Sequence, residues 1–323
     1  MKRKFLSIVS VILVLIVFLL LFIIGKKALH SYHLSKLSSG LSISQISLPM
    51  SGISREYKIL FLSDIHAIAN NQSESAQIIQ LSNERTNMFH SSTGQSSADT
   101  LKQLTSYANA QNVDAVVFGG DIIDFPSASN LALLQEALDS LQMPYLFTVG
   151  NHDWTYPWDY MTDHGRQSYY SLLQPFMERH SSSQCLNMGE FQIVSVDNST
   201  NQVTEASLEQ YKKALSSKKT TLVVMHVPLT TEGLLQKAKG TWKSPVTLGA
   251  DGIYPSPQSA ELISQTIAQD SPVAAVLSGH VHFSYQEPIR ENIPQFVTGP
   301  GYMGQGIMLH IKASEHVKSR TAY

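Results

Sequence analysis

Cysteine is almost missing from this sequence. Cys185 is the one thiol in 323 residues, so the chain cannot build an intrachain disulfide framework, and a thiolate-held zinc or iron–sulfur centre is excluded with it. Charge is also scarce: Asp, Glu, Lys and Arg together make up 15% of the chain, 25 acidic against 23 basic. Beyond the flanks of the first apolar segment there is no basic run of the kind that follows a phosphate backbone, so no nucleic-acid partner is indicated. Nothing calls for an obligate protein partner, and no internal repeat suggests a solenoid. Against these scarcities stand 12 histidines, an invitation to look for metal ligands.

One long apolar run is present. Residues 5–24 carry only Ser7 and Ser10 as polar interruptions, and about 20 such residues match the thickness of a bilayer. Gly25, Lys26, Lys27 and Ala28 follow, without a small-x-small cleavage pattern, so the segment reads as an uncleaved signal anchor. The expected division is an anchor over 1–27, a Ser-rich tether over 28–54 and a catalytic domain over 55–323. Lys2, Arg3 and Lys4 before the span, against Lys26 and Lys27 after it, favour an inside amino terminus by a slight margin. The expectation is a single-pass cell-membrane protein with an extracellular catalytic domain.

Past the tether, short β-branched and aromatic runs alternate with amphipathic segments. Strands are expected at 57–62, 113–118, 145–149, 191–196, 221–225, 273–277 and 306–311, and helices at 98–110, 131–141, 168–180, 204–216 and 258–268. In the fourth helix Thr204 is placed to cap, with Leu208, Tyr211 and Leu215 on one face. The alternation is that of an α/β domain. Two stretches, 67–97 and 231–257, read as long connections of the kind that carry function.

Five of the apolar runs end in metal-binding residue types. In order these are Asp64-Ile65-His66, Gly120-Asp121-Ile122-Ile123-Asp124, Gly150-Asn151-His152-Asp153, His226, and Gly279-His280-Val281-His282. Groups that follow separate strands of an open α/β sheet converge outside the carboxyl ends of those strands. Asp-x-His or Gly-Asp alone is a weak signal, and a lone His226 would more often be structural. Order and strand context together make the signal strong. Oxygen and imidazole donors suit Mn, Fe, Zn or Co, and seven such ligands suit two divalent cations better than one. The remaining histidines join no such pattern; His90 and His164 lie in or near candidate pocket loops.

These five ordered motifs, spanning about 57–301, resemble those of the calcineurin-like metallophosphoesterase superfamily. The resemblance implies two mixed β-sheets packed as a sandwich and flanked by helices, with a binuclear centre at the strand ends. By the same resemblance Asp64, His66 and His282 would hold one metal, Asn151, His226 and His280 the other, and Asp121 would bridge them. His152 would protonate the leaving-group oxygen, oriented by Asp124, while a hydroxide held by the cations attacks phosphorus in line.

Departures from subfamilies narrow the reading. Phe125-Pro126 and Asp153 stand where Ser/Thr protein phosphatases carry Arg-Gly and Glu, which argues against a protein substrate. His152 stands where lipid-linked sugar pyrophosphatases typically carry Arg. The sequence is most similar to membrane-anchored bacterial phosphohydrolases, which implies a phosphorylated small molecule, nucleotide or lipid as substrate and hydrolysis of a mono- or diester. The alternatives are a lipid or nucleotide-sugar pyrophosphatase and a noncatalytic, metal-stabilised binding module of the same fold. Trp154, Tyr156, Trp158 and Trp242 are candidates to stack on a substrate, or simply to pack loops. Arg85 and Arg166 are the candidate phosphate contacts.

Overall fold

The computed structural model describes residues 34–179 and 184–314, together with Ile16, Leu19, Phe22 and Lys26. The expected membrane span, 5–24, lies outside the described residues except for Ile16, Leu19 and Phe22. Among the described residues no helix is long and apolar enough to cross a membrane.

The first elements are β1 (Ser42–Met50), β2 (Tyr57–Leu62), α1 (Ala76–Thr86), α2 (Ser97–Gln111), β3 (Ala115–Phe118), α3 (Ala128–Asp139) and β4 (Tyr145–Phe147). Then come α4 (Asp163–Tyr169), α5 (Gln174–Glu178), β5 (Cys185–Asn187), β6 (Gln192–Val196), α6 (Glu205–Leu215) and β7 (Thr221–Met225). The last are α7 (Glu232–Trp242), α8 (Pro257–Thr266), β8 (Val273–Ser278), β9 (Tyr285–Arg290), β10 (Ile293–Val297) and β11 (Gln305–Ala313). The strands form a five-stranded sheet in the order β1-β11-β2-β3-β4 and a six-stranded sheet in the order β5-β6-β7-β8-β10-β9. Both are mixed: β2, β3 and β4 run parallel, as do β6, β7, β8 and β10, while β11 is antiparallel to β2 and β9 to β10.

Strand alternation assigns each face. In β2, Ile59 and Phe61 point between the sheets, where they meet Ile193, Leu222, Val224 and Leu277, whereas Leu60 and Leu62 point outward onto Leu101, Leu104 and Leu134 of the covering helices. The second sheet repeats the scheme, with Val223, Met225 and Val276 packed on Leu208, Tyr211 and Leu262. Burial of both faces explains why these strands read as continuous apolar runs. Thr204 caps α6 by accepting from the Ser207 amide, and Leu208, Tyr211 and Leu215 form its buried face, as the spacing required.

Three expectations are corrected. Residues 42–50, expected in the tether, form an edge strand parallel to β11, within a compact unit that begins at Gly40. The helix expected over 168–180 is broken into α4, a 3-10 segment Tyr170–Leu173 and α5, with Pro175 at the start of the last; proline has no amide hydrogen to continue the preceding turn. The two long connections each hold a helix, α1 and α7, and α1 is capped by Ser75 accepting from the Ile78 amide.

Candidate functional site

The loops after β2, β3, β4, β7 and β8 meet at one end of the sandwich. Backbone hydrogen bonds zip them together: Asp64 and His66 donate to the carbonyls of Gly120 and Asp121 at 2.9 Å, Gly279 donates to the His226 carbonyl at 3.0 Å, and the His280 amide donates to the Asp64 carboxylate at 2.9–3.0 Å. Asp153 ties the third loop to the second by accepting from the amides of Gly150, Asp121, Ile122 and Ile123 at 2.8–3.0 Å. That fourfold role was invisible in the sequence, where Asp153 served only to distinguish subfamilies. A Cβ on Gly150 would collide with Asp121 and one on Gly279 with Asp64, so both motif glycines are required by close approach.

Asp64, His66, Asp121, His280 and His282 all adopt left-handed backbone conformations, with φ between 46° and 69°. Non-glycine residues adopt this region at a cost, and five together mark a site whose geometry is imposed by the surrounding structure.

Two groups of donors face inward. Asp64, His66, Asp121 and His282 form one, and Asp121, His226 and His280 the other, so Asp121 belongs to both. Its Oδ1 accepts from the His152 amide at 2.8 Å, while its Oδ2 lies 3.1 Å from His226 Nε2 and 3.8 Å from His66 Nε2. Asn151 stands in the loop with its Oδ1 buried and without a hydrogen-bond partner. All seven expected metal residues are thus brought to one place, and six of them fall within these two groups.

The orientations fit a pair of cations. His66 Nδ1 bonds Asp124 at 3.0 Å and His226 Nδ1 bonds the Gly119 carbonyl at 2.8 Å, which turns both Nε2 atoms toward the other donors. His66 Nε2 then lies 3.1 Å from His282 Nε2, and His226 Nε2 lies 3.2 Å from His280 Nδ1. Each of these pairs is close enough to share one proton, and a cation among them would take that proton's place. Burial opposes protonation of His226, but Asp121 and then Asp64 outweigh it and raise the imidazole to about 9. Burial lowers His66 to about 4, and burial with the charge of His226 lowers His280 to about 3, so both are neutral, ligand-competent imidazoles at physiological pH.

A third group adjoins these two. Asp124 is fully buried, and its carboxylate takes Nε and Nη2 of Arg85 at 2.6 and 2.7 Å and His66 Nδ1 at 3.0 Å, while His152 Nδ1 lies 3.2 Å from the same carboxylate and bonds the Asp124 backbone carbonyl at 3.2 Å. Burial opposes its ionisation, yet Arg85, His152 and His66 hold it well below the usual carboxylate range. Burial also disfavours a charged His152, and Asp121 with Asp124 reverses that and raises it.

The three expected substrate contacts fare differently. Arg85 reaches the site from α1, but its guanidinium is pinned to Asp124. Trp154 is fully buried, donating Nε1 to Ser199 Oγ at 2.9 Å, and presents no face to a substrate: it packs the loop. Arg166 bonds Asp197 at 2.7 Å and lines a separate cavity of about 610 Å³ with Tyr170, Gln174 and Gln210. Trp158 stacks on Tyr156 with centroids 4.6 Å apart, and exposed Trp242 stands edge-on to His282 at 5.5 Å. His90 bonds its neighbour's carbonyl and His164 faces solvent beside Asp159. Sequence reasoning missed Phe89, stacked flat on His66 at 4.1 Å, Tyr302 beside it, and Tyr160, which touches Asn151. None of the three carries a motif, and Phe89 and Tyr302 lie far from one along the chain, so being aromatic is their one shared signal.

A search of the curated proteins finds no match to this chain. Among solved structures it is similar to a dimetal phosphatase from Danio rerio, with 12% identity, 79% of this chain and 92% of that one covered, and a TM-score of 0.48. It is also similar to a purple acid phosphatase from yellow lupin seeds, with 14% identity, 83% of this chain, 47% of that one and a TM-score of 0.49. A third likeness is to a phosphopantetheinyl hydrolase from Mycobacterium tuberculosis, with 12% identity, 78% and 92% covered, and a TM-score of 0.40. These likenesses are too remote to bear on the reaction. The model of the calcineurin-like phosphoesterases matches residues 57–284, the stretch that holds every donor described above, and the chain belongs to that family.

Proposed function

We propose that the chain is a metal-dependent phosphoester hydrolase acting on phosphomonoesters or phosphodiesters, carried by residues 5–24 on a cell membrane with its catalytic domain outside. The observation that carries the catalytic reading is the sharing of Asp121 between two groups of ligand-type donors, with His152 and Asp124 ranged beside them. The membrane placement is supported by the apolar run alone, and a reporter fused to the carboxyl terminus tests it.

Two divalent cations, Mn, Fe, Zn or Co, held by Asp64, His66, Asp121, Asn151, His226, His280 and His282, would supply positive charge to the phosphoryl oxygens and acidify water at neutral pH. The protein's own groups do the rest. His152 Nδ1 bonds the Asp124 backbone carbonyl at 3.2 Å and lies 3.2 Å from its carboxylate, which fixes the imidazole plane and leaves Nε2 to give a proton to the leaving-group oxygen. The guanidinium of Arg85 holds Asp124 ionised for that task. Phe89 covers one face of His66 and limits the water that reaches it. A noncatalytic metal-binding module has no use for a histidine set beside the two ligand groups and anchored against a buried Asp, and for this reason catalysis is the reading preferred.

The test is hydrolysis of p-nitrophenyl phosphate and its bis-ester by the full chain in detergent, with Mn, Zn or chelator. His152→Ala should keep both cations and lose at least ~100-fold in kcat. Asp121→Ala should lose cations and turnover together. Activity that survives chelation, or a His152→Ala protein as fast as the parent, would refute the reading.

A further inference from the structure

Asn151 is the single amide in a constellation of carboxylates and imidazoles, and this sets it apart. A carboxylate presents oxygen on either side, but an amide has one ligand face: Oδ1 can coordinate a cation and Nδ2 cannot. Something must hold that amide the right way round. In this structure Nδ2 donates to the Tyr160 hydroxyl at 2.7 Å, while Oδ1 is buried and makes no hydrogen bond. Tyr160 reaches in from the loop after the 3-10 turn His152–Trp154; the residue as a whole is 46% exposed, and its ring stands edge-on to His152 with centroids 5.6 Å apart. The outer part of the residue is left to solvent, while burial at its hydroxyl end raises the phenol, so the hydroxyl is the part turned into the site.

We infer that Tyr160 is a positioning residue for the metal centre, its hydroxyl taking the Asn151 Nδ2 hydrogen so that Oδ1 is left to the cation held with Asp121, His226 and His280. The inference rests on Asn151 being a ligand. Without the hydroxyl, Nδ2 loses its acceptor and the amide turns to find another, as buried donors do, taking the ligand oxygen with it. Groups that orient a ligand from behind typically contribute 10–100-fold in metal affinity.

The experiment is calorimetric titration of the metal-free full chain, in detergent, with Mn²⁺. Tyr160→Phe keeps the ring and removes the hydroxyl; one of two binding steps should weaken by ~10–100-fold while the other stays within ~2-fold. In an Asn151→Ala background the same substitution should add less than ~2-fold, because the group it positions is gone. Equal costs in both backgrounds would mean that Tyr160 supports the loop rather than the amide, and would overturn the inference. So would two unchanged steps in Tyr160→Phe where Asn151→Ala loses one, a result that leaves the hydrolase reading standing. Two unchanged steps in Asn151→Ala itself would remove Asn151 from the metal centre, and this inference with it.

Discussion

Two buried arginine–aspartate pairs stand at the strand ends, alike in chemistry and unlike in company. Arg85 spans both oxygens of Asp124 and packs 5.0 Å over the Phe89 ring; Arg166 bonds Asp197 at 2.7 Å and packs 4.1 Å over the Tyr170 ring. The difference lies in what else each carboxylate holds. Asp124 also bonds His66 and His152 inside the donor constellation. Asp197 instead takes the Ser199 amide and hydroxyl at 3.0 and 2.6 Å and the Tyr170 hydroxyl at 2.8 Å, none of them a metal or proton-transfer group. A pair of the same type thus joins the donor constellation or the scaffold according to the third partner of its carboxylate.

Arg166→Ala should break the scaffold pair with the largest effect on stability. Removing one member leaves Asp197 buried and short of its charge partner, which typically costs 3–5 kcal/mol; the low end, about 3, applies because a quarter of the Arg166 side chain reaches solvent. The melting temperature should fall by roughly 5–10 °C while kcat of the folded protein stays within ~2-fold. The effect has a sign in pH. Burial opposes ionisation of Asp197, but Arg166 and then Ser199 hold its carboxyl below the usual range. A carboxyl depressed by folding stabilises above its unfolded pKa of ~3.9, and that contribution disappears as pH falls through the folded value. The gap in melting temperature between parent and variant should therefore be widest at neutral pH and close below pH ~4. A kcat that collapses in the folded variant would erase the distinction between the two pairs.

Arg85→Ala should have the reverse profile. Asp124 keeps His66 and His152 as donors, so the fold loses less, but the carboxylate that orients His152 is freed on one side. A fall of ~10–100-fold in kcat is expected, equivalent to about 1.4–2.7 kcal/mol of barrier, with both cations retained. Lysine should not restore it, since an ammonium cannot span two carboxylate oxygens. A raised KM with an unchanged kcat would show instead that Arg85 meets the substrate directly.

The contrast also marks how far the sequence could be read. The metal-type residues were legible because the motifs come in one order at successive strand ends, and because glycines and strand ends place the groups before any contact is known. Arg85 and Arg166 looked equivalent because their partners, Asp124 and Asp197, lie 39 and 31 residues away along the chain. Among elements, the doubly buried strands announced themselves, whereas β1 is a serine-rich edge strand with a largely exposed face and passed for tether. In β9 and β10, Pro288 and Pro294 face each other next to a register shift, and proline is ordinarily a sign against a strand. Gly233 and Gly240 weaken the helical signal of α7 in the same way.

Trp154 belongs to the scaffold pair rather than to the reaction centre, and the smallest predicted effect follows from that. Its indole lies 5.5 Å from the Arg166 guanidinium, and its Nε1 shares Ser199 Oγ with the Asp197 network. Trp154→Phe keeps most of the buried surface and removes one hydrogen bond, a loss of about 1 kcal/mol. The cost should appear in the melting temperature, with KM unchanged for every substrate the enzyme turns over. Because Trp154 and Arg166 both bond Ser199 Oγ, which itself donates to Asp197, the double variant should lose less stability than the two single variants added together. A KM that rises in Trp154→Phe while the melting temperature holds would mean that the indole leaves its pocket to meet substrate, and that the boundary between the two regions moves during the reaction.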